Sequence, residues 1–257
     1  MIDTHAHVHD PAFDPDRAQV IERASSAGIE RIVTVGCDLS DSERALAAAR
    51  EYRLAWTLGI HPHEAKDAPA DLAPRFDAVI DGAEIAPLAI GETGLDFYYD
   101  RSPRDVQARV FEAQLDYARR RGLPLVFHQR DAFDTFVSIV RARRFEGMRG
   151  VVHCFTGDAA QARLLVAEFG FSLGIGGVAT FKTADGLREA IAAVGIEHLV
   201  FETDAPFLAP MPLRGKRNEP SFVVHTAQRV AEILGLRPQE AVAATDRNAR
   251  TLFGPSL

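Results

Sequence analysis

The chain has 257 residues, 47% of them hydrophobic, a formal net charge of −7 and two cysteines, Cys37 and Cys154. The acidic balance excludes the basic footprint of a general nucleic-acid binder, and two cysteines exclude a disulfide-stapled secreted module. Met1 leads into apolar residues without a basic stretch or an apolar core, and no run nears the roughly 18 apolar residues of a membrane span, so a cytoplasmic protein with no membrane partner is expected.

The first apolar run, MIDTHAH, reads as a strand. Alternate strand residues share a face, so His5 and His7 aim at one point and suit a divalent ion; the alternative is an exposed polar strand tip. His9 continues the alternation but precedes Asp10-Pro11, and is expected in a loop outside any ligand set. DRAQVIERASSAG then reads as a helix closing on glycine, and RIVTVG as a second strand. After the helical DSERALAAAREY comes the strand LAWTLGIH, with His61 and His63 beyond it. PLAIGETG ends on Glu92, whose two oxygens can bridge two cations, and glycines on both sides imply close backbone approach. Phe97, Tyr98 and Tyr99 follow, placed either to stack on a base or to pack the loop.

VQARVFEAQLDYARRRG is the next helical stretch. LPLVFH ends on His128, FDTFVSIVRARR is helical, and GVVHCF carries His153 at its end. Cys154, on the opposite strand face, is expected to be a small buried apolar residue. DAAQARLLVAEFG is helical and FGFSLGIGG is the seventh strand. The eighth, HLVFETD, places Glu202 and Asp204 on one face. Asp204, nearer the end, is the better ligand and can also take a proton from the attacking water; Glu202 either orients a ligand or acts directly. Beyond it, Arg214, Lys216 and Arg217 put three cations within four residues, suited to phosphate; the alternative is a solvated charged loop.

Eight strands alternating with helices imply parallel pairing through right-handed crossovers. Over residues 1–257 this predicts one domain, a (β/α)8 TIM barrel, with an open doubly wound sheet as the alternative. The barrel is preferred because His5, His7, His61, His63, Glu92, His128, His153 and Asp204 all fall at or just beyond the C-terminal ends of runs, which a barrel gathers on one face. Four histidines and two carboxylates from five strands suit two divalent cations, and hydrolysis by metal-activated water.

The motifs DTHAH, GIHPH, GETGLDFYY, LPLVFHQRDA, HCFTG, ETDAPFLAPMPLRGKRNEP and ATDRNARTLFG resemble, in order, those of the TatD-type metal-dependent hydrolases, with their amidohydrolase-like barrel and deoxyribonuclease activity. The resemblance covers residue 2 to about 254. It implies that His5, His7 and Asp204 hold one ion, that Glu92 bridges, and that His128 and His153 hold the other. It places His63 on the substrate or leaving-group side beside Asp204 and Glu202, with His61 in support, and Arg214, Lys216, Arg217 and Asn218 on the substrate. Gln129 departs from the pattern, where a smaller residue is expected, and bears on the pocket floor. Imidazoles favour Zn2+ or Ni2+ as bound ions, while phosphoryl chemistry and the resemblance favour Mg2+ or Mn2+ for activity. The expected partner is DNA, single-stranded or at an end, cleaved 3′ to 5′, with no obligate protein partner. The alternatives are the same barrel acting on another ester, an amide or an aminoacyl ester on tRNA, or a non-catalytic metal-binding protein.

Overall fold

The computed structural model describes residues 1–254 and 257. Eight strands form one sheet in the order β1 to β8: β1 (Ile2–Ala6), β2 (Arg31–Val35), β3 (Ala55–Leu58), β4 (Ala89–Asp96), β5 (Leu125–Arg130), β6 (Gly150–Val152), β7 (Ser172–Ile175) and β8 (Leu199–Phe201). Each consecutive pair is parallel. The ring closes just beyond the strand ends, where the His7 N–H donates to the Ala205 carbonyl at 2.7 Å and the Asp204 N–H to the His5 carbonyl at 2.9 Å. The expected (β/α)8 barrel is therefore the observed one, and the open sheet is not.

The five helical stretches read from the sequence are α1 (Arg17–Ser26), α2 (Leu39–Tyr52), α4 (Arg104–Arg121), α5 (Phe133–Ala142) and α6 (Ala159–Leu164), the last running on as a π-helical turn to Phe169. Between and after them lie α3 (Ala73–Asp81), α7 (Asp185–Val194), α8 (Val223–Leu234) and α9 (Pro238–Phe253). Local chemistry sets several ends. Asp38 caps α2 by accepting the Asp41 N–H at 2.7 Å, Asp158 and Gln161 form a capping box at α6, and Gly122 ends α4 at φ 65°. None of the described helices is long and apolar enough to cross a membrane.

Strand alternation divides the core in two. Leu125, Phe127, Val152, Leu173, Leu199 and Phe201 pack outward in one cluster with the helices. Val33, Val35, Ala89, Val126, Val151 and Val200 form a second cluster with Ala249, Leu252 and Phe253 of α9 and with Leu257. These valines point into the barrel, and the end of α9 plugs its base.

Candidate metal centre

The same alternation carries chemistry to the opposite rim. Two residues beyond inward-facing Val126, Val151 and Val200 come His128, His153 and Glu202, on the same face. Glu92 sits buried among them. A Cβ on Gly91 would lie 2.5 Å from the Val126 carbonyl oxygen, and one on Gly94 2.0 Å from that of His128; their φ values are +150° and +144°. Only glycine lets β4 approach β5 this closely, and the approach sets Glu92 against His128.

The two oxygens of Glu92 face two groups. Oε2 lies 3.4 Å from His5 Nε2 and 4.0 Å from His7 Nε2, and Asp204 Oδ1 lies 3.8 and 3.5 Å from the same nitrogens. Oε1 lies 2.9 Å from His128 Nδ1, 3.3 Å from His153 Nε2 and 3.5 Å from His61 Nε2.

Hydrogen-bond partners fix the tautomers. His7 Nδ1 meets the Val35 carbonyl at 2.8 Å, so it carries the proton and Nε2 presents a lone pair. His153 Nδ1 faces Glu202 Oε1 at 3.1 Å, and His128 Nε2 faces Asp96 Oδ2 at 3.0 Å, leaving His153 Nε2 and His128 Nδ1 as lone pairs toward Glu92. His61 is the reverse. Its Nδ1 accepts the His63 N–H at 3.1 Å, so its Nε2 is a donor to Glu92 and not a ligand. Burial brings the His61 pKa down to about 4, against the pull of Glu92, and the ring is neutral.

Lone pairs and carboxylate oxygens thus converge with few donors among them. His5 Nε2 and His7 Nε2 lie 3.3 Å apart. Burial opposes a charged Glu92, but His153, His61 and His5 hold its carboxyl well below the usual range. Burial likewise opposes a charged His153, but Glu92 and Glu202 bring its pKa up to about 9. The cluster demands positive charge, and protons or cations can meet that demand. A donor set of imidazole nitrogens and carboxylates fits divalent metal ions; the described residues include the grouping His5–His7–Glu92, with ligand atoms within 4.8 Å of one another.

Asp96 is the residue that sequence reasoning missed. Fully buried, it accepts the Tyr98 and Tyr99 N–H groups at 3.0 and 2.8 Å on Oδ1, and meets His63 Nε2 at 2.9 Å and His128 Nε2 on Oδ2. Burial opposes its charge, but the His128 and backbone hydrogen bonds win and keep its carboxyl below the usual range. The signal was present, since Glu92, Gly94 and Asp96 alternate along one strand. Glu202 Oε1 holds His153 and the Cys154 N–H, the latter at 2.5 Å, while Oε2 has no partner. A Cβ at Gly174 would lie 2.2 Å from that oxygen, so β7 makes room for Glu202. His9 lies outside the cluster, buried between Thr34 Oγ1 at 2.7 Å and Asp41 Oδ1 at 3.0 Å. Cys154 is partly exposed and not buried, because β6 ends at Val152 and the alternation stops before it.

The TatD related DNase family model matches residues 2–254. The chain belongs to the TatD family of metal-dependent hydrolases. It is 40% identical over 255 residues to the metal-dependent hydrolase YabD of Bacillus subtilis, covering 98% of each chain. It is 36% identical to the 3′-5′ ssDNA/RNA exonuclease TatD of Erwinia amylovora, over 99% of this chain and 100% of that one. Among solved structures, the TatD homologue YjjV from Escherichia coli superposes with a TM-score of 0.91 at 29% identity, over 98% of this chain and 97% of that one.

Within this TatD-type barrel the expected substrate loop is rearranged. Arg217 is not free for phosphate: it pairs with both oxygens of Asp16 at 2.8 and 2.7 Å and covers the Phe13 ring. Asn218, expected on the substrate, is buried and donates to the carbonyls of Thr203 and Phe207 at 2.8 and 2.6 Å. Arg214 lies 4.4 Å over Phe181, and Lys216 is exposed. Phe97 is packed under Arg104, 4.4 Å away, whereas Tyr98 and Tyr99 are open to solvent. With its amide oxygen turned toward α5, Gln129 accepts the Ala132 and Phe133 N–H groups at 3.0 and 2.9 Å.

Proposed function

We propose that this TatD-family chain is a two-metal phosphodiesterase that degrades DNA from the 3′ end of an unpaired strand. One observation carries the reading: Glu92 presents Oε2 to His5 and His7, which Asp204 also faces, and Oε1 to His128 and His153. In it, His5, His7 and Asp204 would hold one ion and His128 and His153 the other, with the Glu92 carboxylate shared between the two groups. Such ions acidify water and neutralise charge on the phosphoryl oxygens. Mg2+ or Mn2+ suits that task, while the imidazole-rich set also accepts Zn2+ or Ni2+. The Erwinia relative's name supports a single-stranded nucleic acid as substrate.

The chain's own residues do the rest. Asp204 takes the proton as the water oxygen bonds to phosphorus and the P–O3′ bond breaks. Asp96 accepts the Nε2 proton of His63 and favours its imidazolium form, whose Nδ1–H donates to the departing O3′ oxygen; solvent then restores that proton. Glu202 fixes the His153 ring through Nδ1, a positioning role, and does not touch substrate.

The test strips the protein with a chelator and adds back Mg2+, Mn2+ or Zn2+, with 5′-labelled single-stranded DNA as substrate. Expected are two equivalents of metal per chain by elemental analysis and a ladder shortened from the 3′ end. Failure of every metal to restore phosphodiester cleavage would overturn the reading.

A further inference from the structure

The barrel mouth carries aromatic surface that the metal cluster does not use. Phe207 is 54% exposed, Tyr98 58% and Tyr99 49%. They flank the two halves of the cluster. The Phe207 ring stands edge-on to His7 at 6.1 Å between centroids, beside the Oε2 group. Tyr99 stands edge-on to His63 at 5.4 Å, beside the Oε1 group, with Tyr98 packed 4.8 Å from it.

The cluster also fixes the backbone beneath each ring. The Phe207 N–H donates to the Asp204 carbonyl at 2.8 Å, and buried Asn218 holds the Phe207 carbonyl. The Tyr98 and Tyr99 N–H groups are held by Asp96. Arg130 lies 4.0 Å over the Tyr98 ring and 4.8 Å over Tyr99, and no carboxylate among the described residues pairs with it. Tyr98, Arg130, Asp131, Asp134, Thr156 and Gly157 line an open cleft of about 650 Å³, within the usual range of ligand sites, and neither aspartate pairs with Arg130. Gln129 already occupies the first amides of α5, so the cation available in this cleft is Arg130.

Exposed aromatic rings on a fixed backbone, one side joined by an unpaired guanidinium, suit bases stacked on a strand and the phosphate between them. We propose that Phe207 on one side, and Tyr98 with Arg130 on the other, are two nucleobase platforms that seat the nucleotides flanking the scissile phosphate. The proposal rests on the nuclease reading above and deepens it. A base held in a duplex cannot reach either platform without leaving its stack, so the pair selects unpaired strands.

The experiment measures binding and cleavage separately. Metal-loaded protein is titrated by fluorescence anisotropy into a labelled oligodeoxynucleotide whose terminal linkage is a phosphorothioate. Matched strands lack the base on one side of that linkage or on the other. Each missing base is expected to weaken binding to the native protein about tenfold, within what one base stack contributes. Phe207→Ala weakens the intact strand by a similar factor and becomes blind to one of the missing bases while still sensing the other. Tyr98→Ala shows the opposite pattern, and Phe207→Trp restores the first. Variants that sense both missing bases as the native protein does, or a native protein that senses neither, overturn the platforms. Platform-dependent binding without cleavage under any metal would remove the nuclease reading and leave the platforms; cleavage with no response to missing bases would do the reverse.

Discussion

At the residue scale, the clustering of the imidazoles was legible because a strand puts alternate residues on one face, and strand ends in a barrel share one rim. The residues that orient them were harder to see, because orientation depends on which nitrogen meets which oxygen. Asp96 shows this. Its side chain touches no substrate in the proposed scheme, yet it sets the tautomers of His63 and His128 and anchors the Tyr98–Tyr99 backbone. Asp96→Asn replaces one carboxylate oxygen with an amide that donates where the imidazoles need an acceptor. Partners of this kind typically account for about 10–100-fold in metal affinity. The expected outcome is a loss of that size in calorimetric titration of the stripped protein with Mn2+, without loss of the fold by circular dichroism. Unchanged affinity would reduce Asp96 to an anchor for the tyrosine loop.

At the element scale, the segment between β8 and α8 is held by contacts that its own sequence does not show. Its cations stand together in sequence, which suggested a phosphate cradle, but one of them, Arg217, has its partner about two hundred residues upstream, just before α1. Arg217 closes on Asp16, and Arg23 of α1 closes on Glu219, with Nε to Oε1 at 2.9 Å and Nη2 to Oε2 at 2.6 Å. Together they clamp the loop that carries Phe207 against α1. Burial opposes a charged Glu219, but the Arg23 and Ser221 hydrogen bonds outweigh it and lower its pKa. A carboxyl whose folded pKa lies below its unfolded one, ordinarily about 4.3, adds stability above that value and loses it as pH falls through the folded one. Glu219→Gln is therefore expected to destabilise the protein by about 1–2 kcal/mol at pH 7, a range reduced for the solvent around Arg23. In urea unfolding from pH 7 to 3.5, the gap between variant and native protein should narrow below about pH 4.5. A gap constant with pH would mean that the lost packing, and not the charge, matters.

At the scale of the whole molecule, the barrel is held differently at its two ends. The base is closed by apolar contact, with Leu252 and Phe253 of α9 against Val33, Val126, Val151 and Val200. That plug was not legible: a helical period reports an apolar face but not whether the face lies against the barrel wall or beneath it. The rim is closed by polar groups. Buried Asp3 of β1 accepts the Thr203 N–H and hydroxyl at 3.0 and 2.6 Å just past β8, and the cluster draws side chains from β1, β4, β5 and the segments just after β1, β6 and β8. Cations held there would tie the ends of β1 and β8, which meet only at the seam, to those of β4, β5 and β6, whereas nothing in the plug depends on them. A ligand at 100 times its Kd stabilises by about 2.7 kcal/mol, which in a chain of this size corresponds to roughly 5–10 °C in Tm. Chelation is expected to lower Tm by that much, with Mn2+ restoring it. Hydrogen exchange should then quicken at the ends of β1 and β8 and leave α9 unchanged. Equal quickening in α9 would show that the rim and the base open as one unit, and that the metal ions stabilise the barrel as a whole.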